Sequence, residues 1–130
     1  MNIIESGHIR GVTTVALSSL AYLFGSFDGL LVALLAMMAI DFITGILKAI
    51  VTKELASRGL LIGAVRKIGM LAIVAVANIL DNTFDINAIL RSVTIAYFIT
   101  GEALSILENW GQMGLPVPSG LKKVLKQLKD

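Results

Sequence analysis

No cysteine occurs in the 130 residues, histidine occurs once and proline twice. The absence of cysteine excludes disulfides and thiolate metal sites. His8 sits near the N-terminus with no ligand partner around it, so no histidine-centred metal or acid–base site is expected. Scarce proline leaves long helices uninterrupted. Charge is also thin: Asp, Glu, Lys and Arg make up 15% of the chain, against about 25% in soluble domains. Hydrophobic residues reach 56% and aromatics only 6%, so the excess is aliphatic. A water-soluble globule, a disordered segment, a collagen and an all-β sandwich are all poor fits to that balance. The formal charge of +2 is too small for a nucleic-acid binder. A small all-α integral membrane protein remains.

A hydrocarbon core of about 30 Å needs about 20 apolar residues in a helix rising 1.5 Å each. Residues 29–51, 60–80 and 87–107 meet that length. Residues 9–27 form a weaker fourth segment, diluted by Thr13, Thr14, Ser18 and Ser19. About four transmembrane helices are expected, with three as the alternative, in a membrane domain over 1–110 followed by a basic tail over 111–130. A signal peptide explains the first segment less well. No small-x-small cleavage site follows it, and Gly25, Ser26, Phe27 and Asp28 lead straight into the next apolar run.

Basic residues give the orientation. Lys48, Lys53, Arg58, Arg66 and Lys67 surround the connection between the 29–51 and 60–80 segments, Lys122, Lys123, Lys126 and Lys129 fill the tail, and Arg10 precedes the first segment. The opposite side receives residues 25–29 and 81–85, which hold no Lys or Arg. The positive-inside rule therefore puts the middle connection and the C-terminus in the cytoplasm, and the N-terminus too if there are four spans.

Ionisable and amide groups within spans are functional candidates by default. At 100° per residue, Asp41, Gly45, Lys48 and Thr52 share one helix face. Gly63, Lys67, Met70, Val74, Asn78 and Asp81 share a face of the next span, and Arg91, Thr94, Phe98, Glu102, Ser105 and Asn109 a face of the last. Thr14, Ser18, Ala21 and Gly25 make a weaker stripe on the first. Such faces either pair with one another as helix contacts or line an aqueous lesion once subunits assemble. Gly59-x-x-x-Gly63 and Gly101-x-x-x-Ser105 match small-x-x-x-small contacts. No nucleophile–base set and no phosphate-binding glycine loop occurs, so neither enzyme chemistry nor a cofactor is expected.

Residues 109–119 read as a break, with Trp110 as an interfacial anchor. Ser119 is placed to cap a short amphipathic helix with Leu121, Val124, Leu125 and Leu128 on one side and lysines on the other. A basic helix of this kind lies on an anionic inner leaflet or stays solvated.

The block D-x-x-T-G-x-x-K-A, carried by Asp41, Thr44, Gly45, Lys48 and Ala49, is followed by Ser57, Arg58, Gly59 and Leu60 and then Arg66 and Lys67. Together with Glu102, Asn109, the Met113-Gly114-Leu115-Pro116-Val117-Pro118 run and the lysine-rich end, it resembles the phage-lysis and toxin-secretion holins over roughly residues 30–129. The resemblance implies a protein of the bacterial (host) cytoplasmic membrane that forms homo-oligomers in the lipid bilayer. It implies lesions opened at a programmed time, which release a cell-wall hydrolase (an endolysin) or a toxin, with an antiholin as a possible partner. The alternatives from the residues themselves are a small multi-span transporter or ion channel subunit, or an antiholin.

Overall fold

Asp28 stands directly before an apolar run, and its carboxylate accepts the Leu31 N–H at 3.0 Å, one of the donors a helix start leaves unpaired. From that cap, helix α2 runs Gly29–Val51 with Lys48 in its last turn, where a cation suits the helix dipole. The computed structural model describes residues 2–54 and 57–129, and among them every regular element is an α-helix. The others are α1 (Ile3–Phe24), α3 (Ser57–Phe84), α4 (Ile89–Gln112) and α5 (Ser119–Lys129). The side chain of Lys129 lies outside the described residues.

Three helices, α2, α3 and α4, are long and apolar enough to cross a membrane. Of the two span numbers open from sequence, this is the smaller. Helix α1 falls short because it ends at Phe24, so any span-length stretch of it takes in His8 and Arg10 in addition to its hydroxyl residues. Those hydroxyls turn back on their own helix: Thr13 donates to the Ile9 carbonyl, Thr14 to Arg10 and Ser19 to Val15, at 2.7–2.8 Å. None of the α1 residues is buried, so the stripe of Thr14, Ser18 and Ala21 is not a packing face within the subunit. The helix that crosses last extends to Gln112 rather than 107, which puts the 110/111 domain boundary inside its final turn.

Helix α4 is central, packing against α2, α3 and α5, while α1 packs along α3 and meets α4 at its C-terminal end, at Phe24. Leu34 and Met38 of α2, Val74 of α3 and Ile95 of α4 form the buried apolar cluster. Phe24, Met70, Leu71, Phe98 and Ile99 surround it. Leu31 and Leu104 are also buried, but many of the other large apolar side chains point outward, among them Val32, Ile43, Ile62, Ile73 and Val93, as lipid-facing positions should. Within a bilayer those faces gain little by clustering, so helix association rests on close packing and polar bonds. The buried polar residues Asn78, Asp81, Arg91, Glu102 and Asn109 therefore bear directly on how the helices stay together.

The α3–α4 connection is tight, with Asp85, Asn87 and Ala88 all at positive φ. Ala88 occupies the N-cap position of α4 and has no side chain with which to cap. Helix α5 begins one residue earlier than its sequence suggests. The Pro118 carbonyl accepts the Lys122 N–H at 3.2 Å, so Ser119 is the first helical residue and not the cap.

Candidate functional site

Two polar centres lie on either side of the apolar cluster. In the first, the Lys67 ammonium on α3 donates to Asp41 on α2 at 2.6 Å and to Glu102 on α4 at 2.7 Å. The Glu102 side chain is 4% exposed. One cation serves two carboxylates, each from a different helix, so the three spans are joined at one level. Asn109, two turns beyond Glu102, continues the network. Its amide donates to Asp41 Oδ1 at 3.1 Å, to Thr44 Oγ1 at 3.0 Å and to the Asp41 carbonyl at 3.3 Å. The Thr44 hydroxyl in turn donates to that same carbonyl at 3.0 Å. Asp41 and Thr44 thus form a receptor for the Asn109 amide. Gly45 leaves room beside it, since a Cβ there would lie 3.8 Å from Asn109 Nδ2.

The second centre sits at the opposite end of the spans. Arg91 is buried in α4, and its guanidinium reaches the α1–α2 elbow. It donates to Asp28 at 2.8 and 3.2 Å, to the Phe24 carbonyl at 2.6 Å and to the Ser26 carbonyl at 2.8 Å. Asn78 of α3 donates to the Tyr22 and Leu23 carbonyls at 2.9 and 3.1 Å, which are among those the end of α1 leaves unpaired. Gly25 lies against both side chains at φ +78°, and a Cβ there would come within 2.8 Å of each. Asp81 provides the cap that Ala88 cannot, accepting the Leu90 and Arg91 N–H groups at 2.9 and 2.7 Å. These are the N2 and N3 donors that an N-cap side chain ordinarily serves. The Arg91 guanidinium, followed by the Leu31 N–H, holds the Asp28 carboxyl below its ordinary range.

Of the residues singled out from sequence, Asp41, Thr44, Lys67, Glu102 and Asn109 meet in the first centre, with Gly45 beside it. Asn78 and Arg91 belong to the second. Lys48 and Ser105 take part in neither; both line a cleft next to the first centre. Lys122, Lys123 and Lys126 lie on α5, away from both. Sequence reasoning missed Gly25, Asp28 and Asp81 as partners of the second centre. The signal for Asp28 was its place just before an apolar run; no local signal marks Asp81 as a cap for the next helix. A Cβ at Gly59, Gly63 or Gly101 would meet no atom within 4 Å, so the two small-x-x-x-small matches are not close helix contacts within the subunit.

No metal-binding group of three or more His, Asp or Glu occurs among the described residues. Every buried side-chain nitrogen and oxygen among them has a hydrogen-bond partner. The arrangement is a set of internally satisfied polar groups in helices otherwise suited to lipid.

Residues 18–130 match the bacteriophage holin family. The chain belongs to the bacteriophage holin family. The match reaches back into the second half of α1, earlier than the motif blocks alone suggest. The chain is 42% identical over 99 residues to a probable holin of Bacillus phage phi105, covering 76% of this chain and 73% of that one. It is 36% identical over 126 residues to an uncharacterized protein of Halalkalibacterium halodurans, covering 93% of each. An uncharacterized 14.9 kDa protein of Clostridium perfringens is 39% identical over 110 residues, covering 84% and 83%. No solved structure matches. For a holin, the first centre has a clear place: the D-x-x-T-G block and the distant Glu102 and Asn109 are two halves of one interhelical contact.

Proposed function

We propose that this holin inserts α2, α3 and α4 into the bacterial cytoplasmic membrane, assembles with copies of itself and opens lesions through which a cell-wall hydrolase or a toxin leaves the cell. The basic connection between α2 and α3 and the lysines of α5 face the cytoplasm in this reading. The compact subunit is the resting state. On assembly, Asp41, Thr44, Lys67, Glu102 and Asn109 exchange partners within the subunit for water and neighbouring copies, Lys48 and Ser105 beside them join the wetted face, and Asn78 and Arg91 keep the elbow in place. The protein performs no covalent chemistry and requires no cofactor.

The observation that carries this reading is the first centre: two carboxylates, an ammonium and a carboxamide joined across three membrane helices. Apolar packing alone holds such helices together at far lower cost. The same groups are the ones a water-filled boundary requires.

The test is induction in bacteria that contain a folded cytoplasmic reporter enzyme. Release of the intact enzyme is expected at a defined time after induction. Ion leakage without enzyme release would identify a small channel or transporter. Delay of lysis by a co-expressed holin, with no release by this protein alone, would identify an antiholin. A second arm uses Asp41→Leu and Glu102→Leu. If both variants insert and release the reporter on the normal schedule, the polar centre has no part in the lesion.

A further inference from the structure

A cleft of about 370 Å³ opens between α2, α3 and α4 at the basic end of the spans, within the range of about 300–1,000 Å³ typical of small-ligand sites. It exists because three of the positions around it carry no side chain. Gly45, Gly59 and Gly63 line it, and the last two meet nothing within 4 Å. Lys48 and Arg66 also line it. Among the described residues, neither takes part in an ion pair, whereas Lys67 and Arg91, set deeper in these helices, both do. Side chains on a helix tilt toward its N-terminus. Because α2 and α3 run in opposite directions, Lys48 leans inward from the mouth and Arg66 leans outward from beside Asp41. The two converge on the same space. Glu54 stands at the mouth without pairing with either.

We propose that this cleft binds the headgroup phosphate of an anionic phospholipid, held between Lys48 and Arg66. Two unpaired cations at the edge of the hydrocarbon attract a counter-anion; Glu54, exposed at the mouth, pairs with neither, and the lipid phosphate is abundant at that depth. A basic pocket between membrane helices is suited to such headgroups. The glycines admit the headgroup against bare helix backbone, and Arg66 reaches it along an aliphatic stem that stays in the apolar layer. The site requires only that this end of the spans meets a bilayer surface, so it stands or falls independently of lesion formation.

The test is native mass spectrometry of the full-length protein released from detergent micelles containing phosphatidylglycerol, with phosphatidylcholine or inorganic phosphate as separate arms. Phosphatidylglycerol should be retained in preference to phosphatidylcholine. Lys48→Gln and Arg66→Gln should each weaken retention about fivefold, while Arg10→Gln, on α1, should leave it unchanged. Gly63→Leu fills the cleft with both cations in place and should also abolish retention, with circular dichroism and a melting curve showing an intact fold. Equal retention of the two lipids, or retention that survives both the charge and the Gly63→Leu variants, would overturn the proposal. Displacement of the lipid by inorganic phosphate at matched concentration would assign the cleft to a free anion and overturn the lipid assignment.

Discussion

The two polar centres solve different problems with similar residues. At the Asp41–Lys67–Glu102 centre all the ion-pair partners are side chains on separate helices, so its integrity depends on how α2, α3 and α4 sit against each other. At the Arg91 centre three of five guanidinium and backbone contacts run to main-chain groups or originate from them: Phe24 and Ser26 accept from Arg91, and Asp81 accepts its N–H. That centre fixes the course of the chain at the α1–α2 elbow and the start of α4. The first can be exchanged for contacts with another subunit or with water without refolding a loop. The second cannot, because its partners are fixed parts of the turns. A rearrangement of the helices therefore has its natural break at the Lys67 centre and its natural pivot at the Arg91 centre.

Breaking the comparison begins at Lys67. Lys67→Met leaves Glu102 buried and Asp41 partly buried with no cation, and removing one partner of a buried ion pair costs about 3–5 kcal/mol. Unfolding in mixed detergent micelles should show a loss of that size. Asp41→Asn/Lys67→Met/Glu102→Gln, which removes all three charges together, should recover most of it. If the triple variant is as unstable as the single one, the charges are not what couples the three helices.

Arg91→Met comes next. It removes the bonds to Asp28 and to the Phe24 and Ser26 carbonyls, and hydrogen bonds to a charged group contribute about 1.5–3 kcal/mol. Asp28 keeps partial exposure, 38% for its side chain, so the carboxylate left behind is better solvated than those at Lys67. The expected loss is about 2–3 kcal/mol, and it should be local. Limited proteolysis should cut first at residues 25–28, with α2, α3 and α4 still folded. Loss of the whole helical fold in one step would contradict the division between the two centres.

The helices and the identity of their polar faces were legible in the sequence because both follow from period: apolar runs of span length, and polar residues recurring at 3.6. The partners were not. Asp41, Lys67 and Glu102 each mark a face, but which carboxylate meets which cation depends on axial register, and a shift of one helix turn moves a side chain about 5.4 Å. The Lys67 centre was therefore visible as residues and invisible as a contact. The Arg91 centre was less legible still, because Phe24, Ser26, Tyr22 and Leu23 contribute carbonyls, and a carbonyl leaves no trace in residue identity. Helix α1 misled in the other direction. Its Thr14, Ser18 and Ala21 have helical spacing, yet the spacing serves no neighbour within the subunit, and Thr14 is satisfied by the Arg10 carbonyl.

Acid should act at one centre before it unfolds the protein. Arg91 lowers the Asp28 carboxyl in the folded chain, so the native state binds that proton less readily than an unfolded chain does. The contribution of this pair is thus complete above the ordinary aspartate value of about 3.9 and is lost as the pH falls through the lower folded value. Protection against hydrogen exchange at residues 24–28, taken relative to the intrinsic rate at each pH, should fall on acidification below pH of about 4, by less than Arg91→Met causes at neutral pH, because the carbonyl bonds persist. Asp28→Asn should abolish the acid response and leave the neutral-pH exchange only modestly raised.

The smallest effect expected is at Gly45, and it sharpens the comparison because the two centres each contain a glycine. Gly45→Ala adds a methyl at 3.8 Å from Asn109 Nδ2, an ordinary contact, on a helix where alanine is intrinsically better than glycine by about 1 kcal/mol. The variant should therefore melt within about 1 kcal/mol of the wild type, on the stable side. Gly45→Leu extends past that contact into the adjoining cleft and against Asn109, and should disturb the Asn109 amide at Asp41 and Thr44, visible as a shift of the Asn109 side-chain NMR resonances. Gly25 has no comparable latitude, since its φ of +78° and the approach of Arg91 and Asn78 exclude any Cβ. The tolerance of one glycine and the intolerance of the other follow from the same distinction: side chains around Gly45 can adjust, whereas the turn at Gly25 is itself what the Arg91 centre holds.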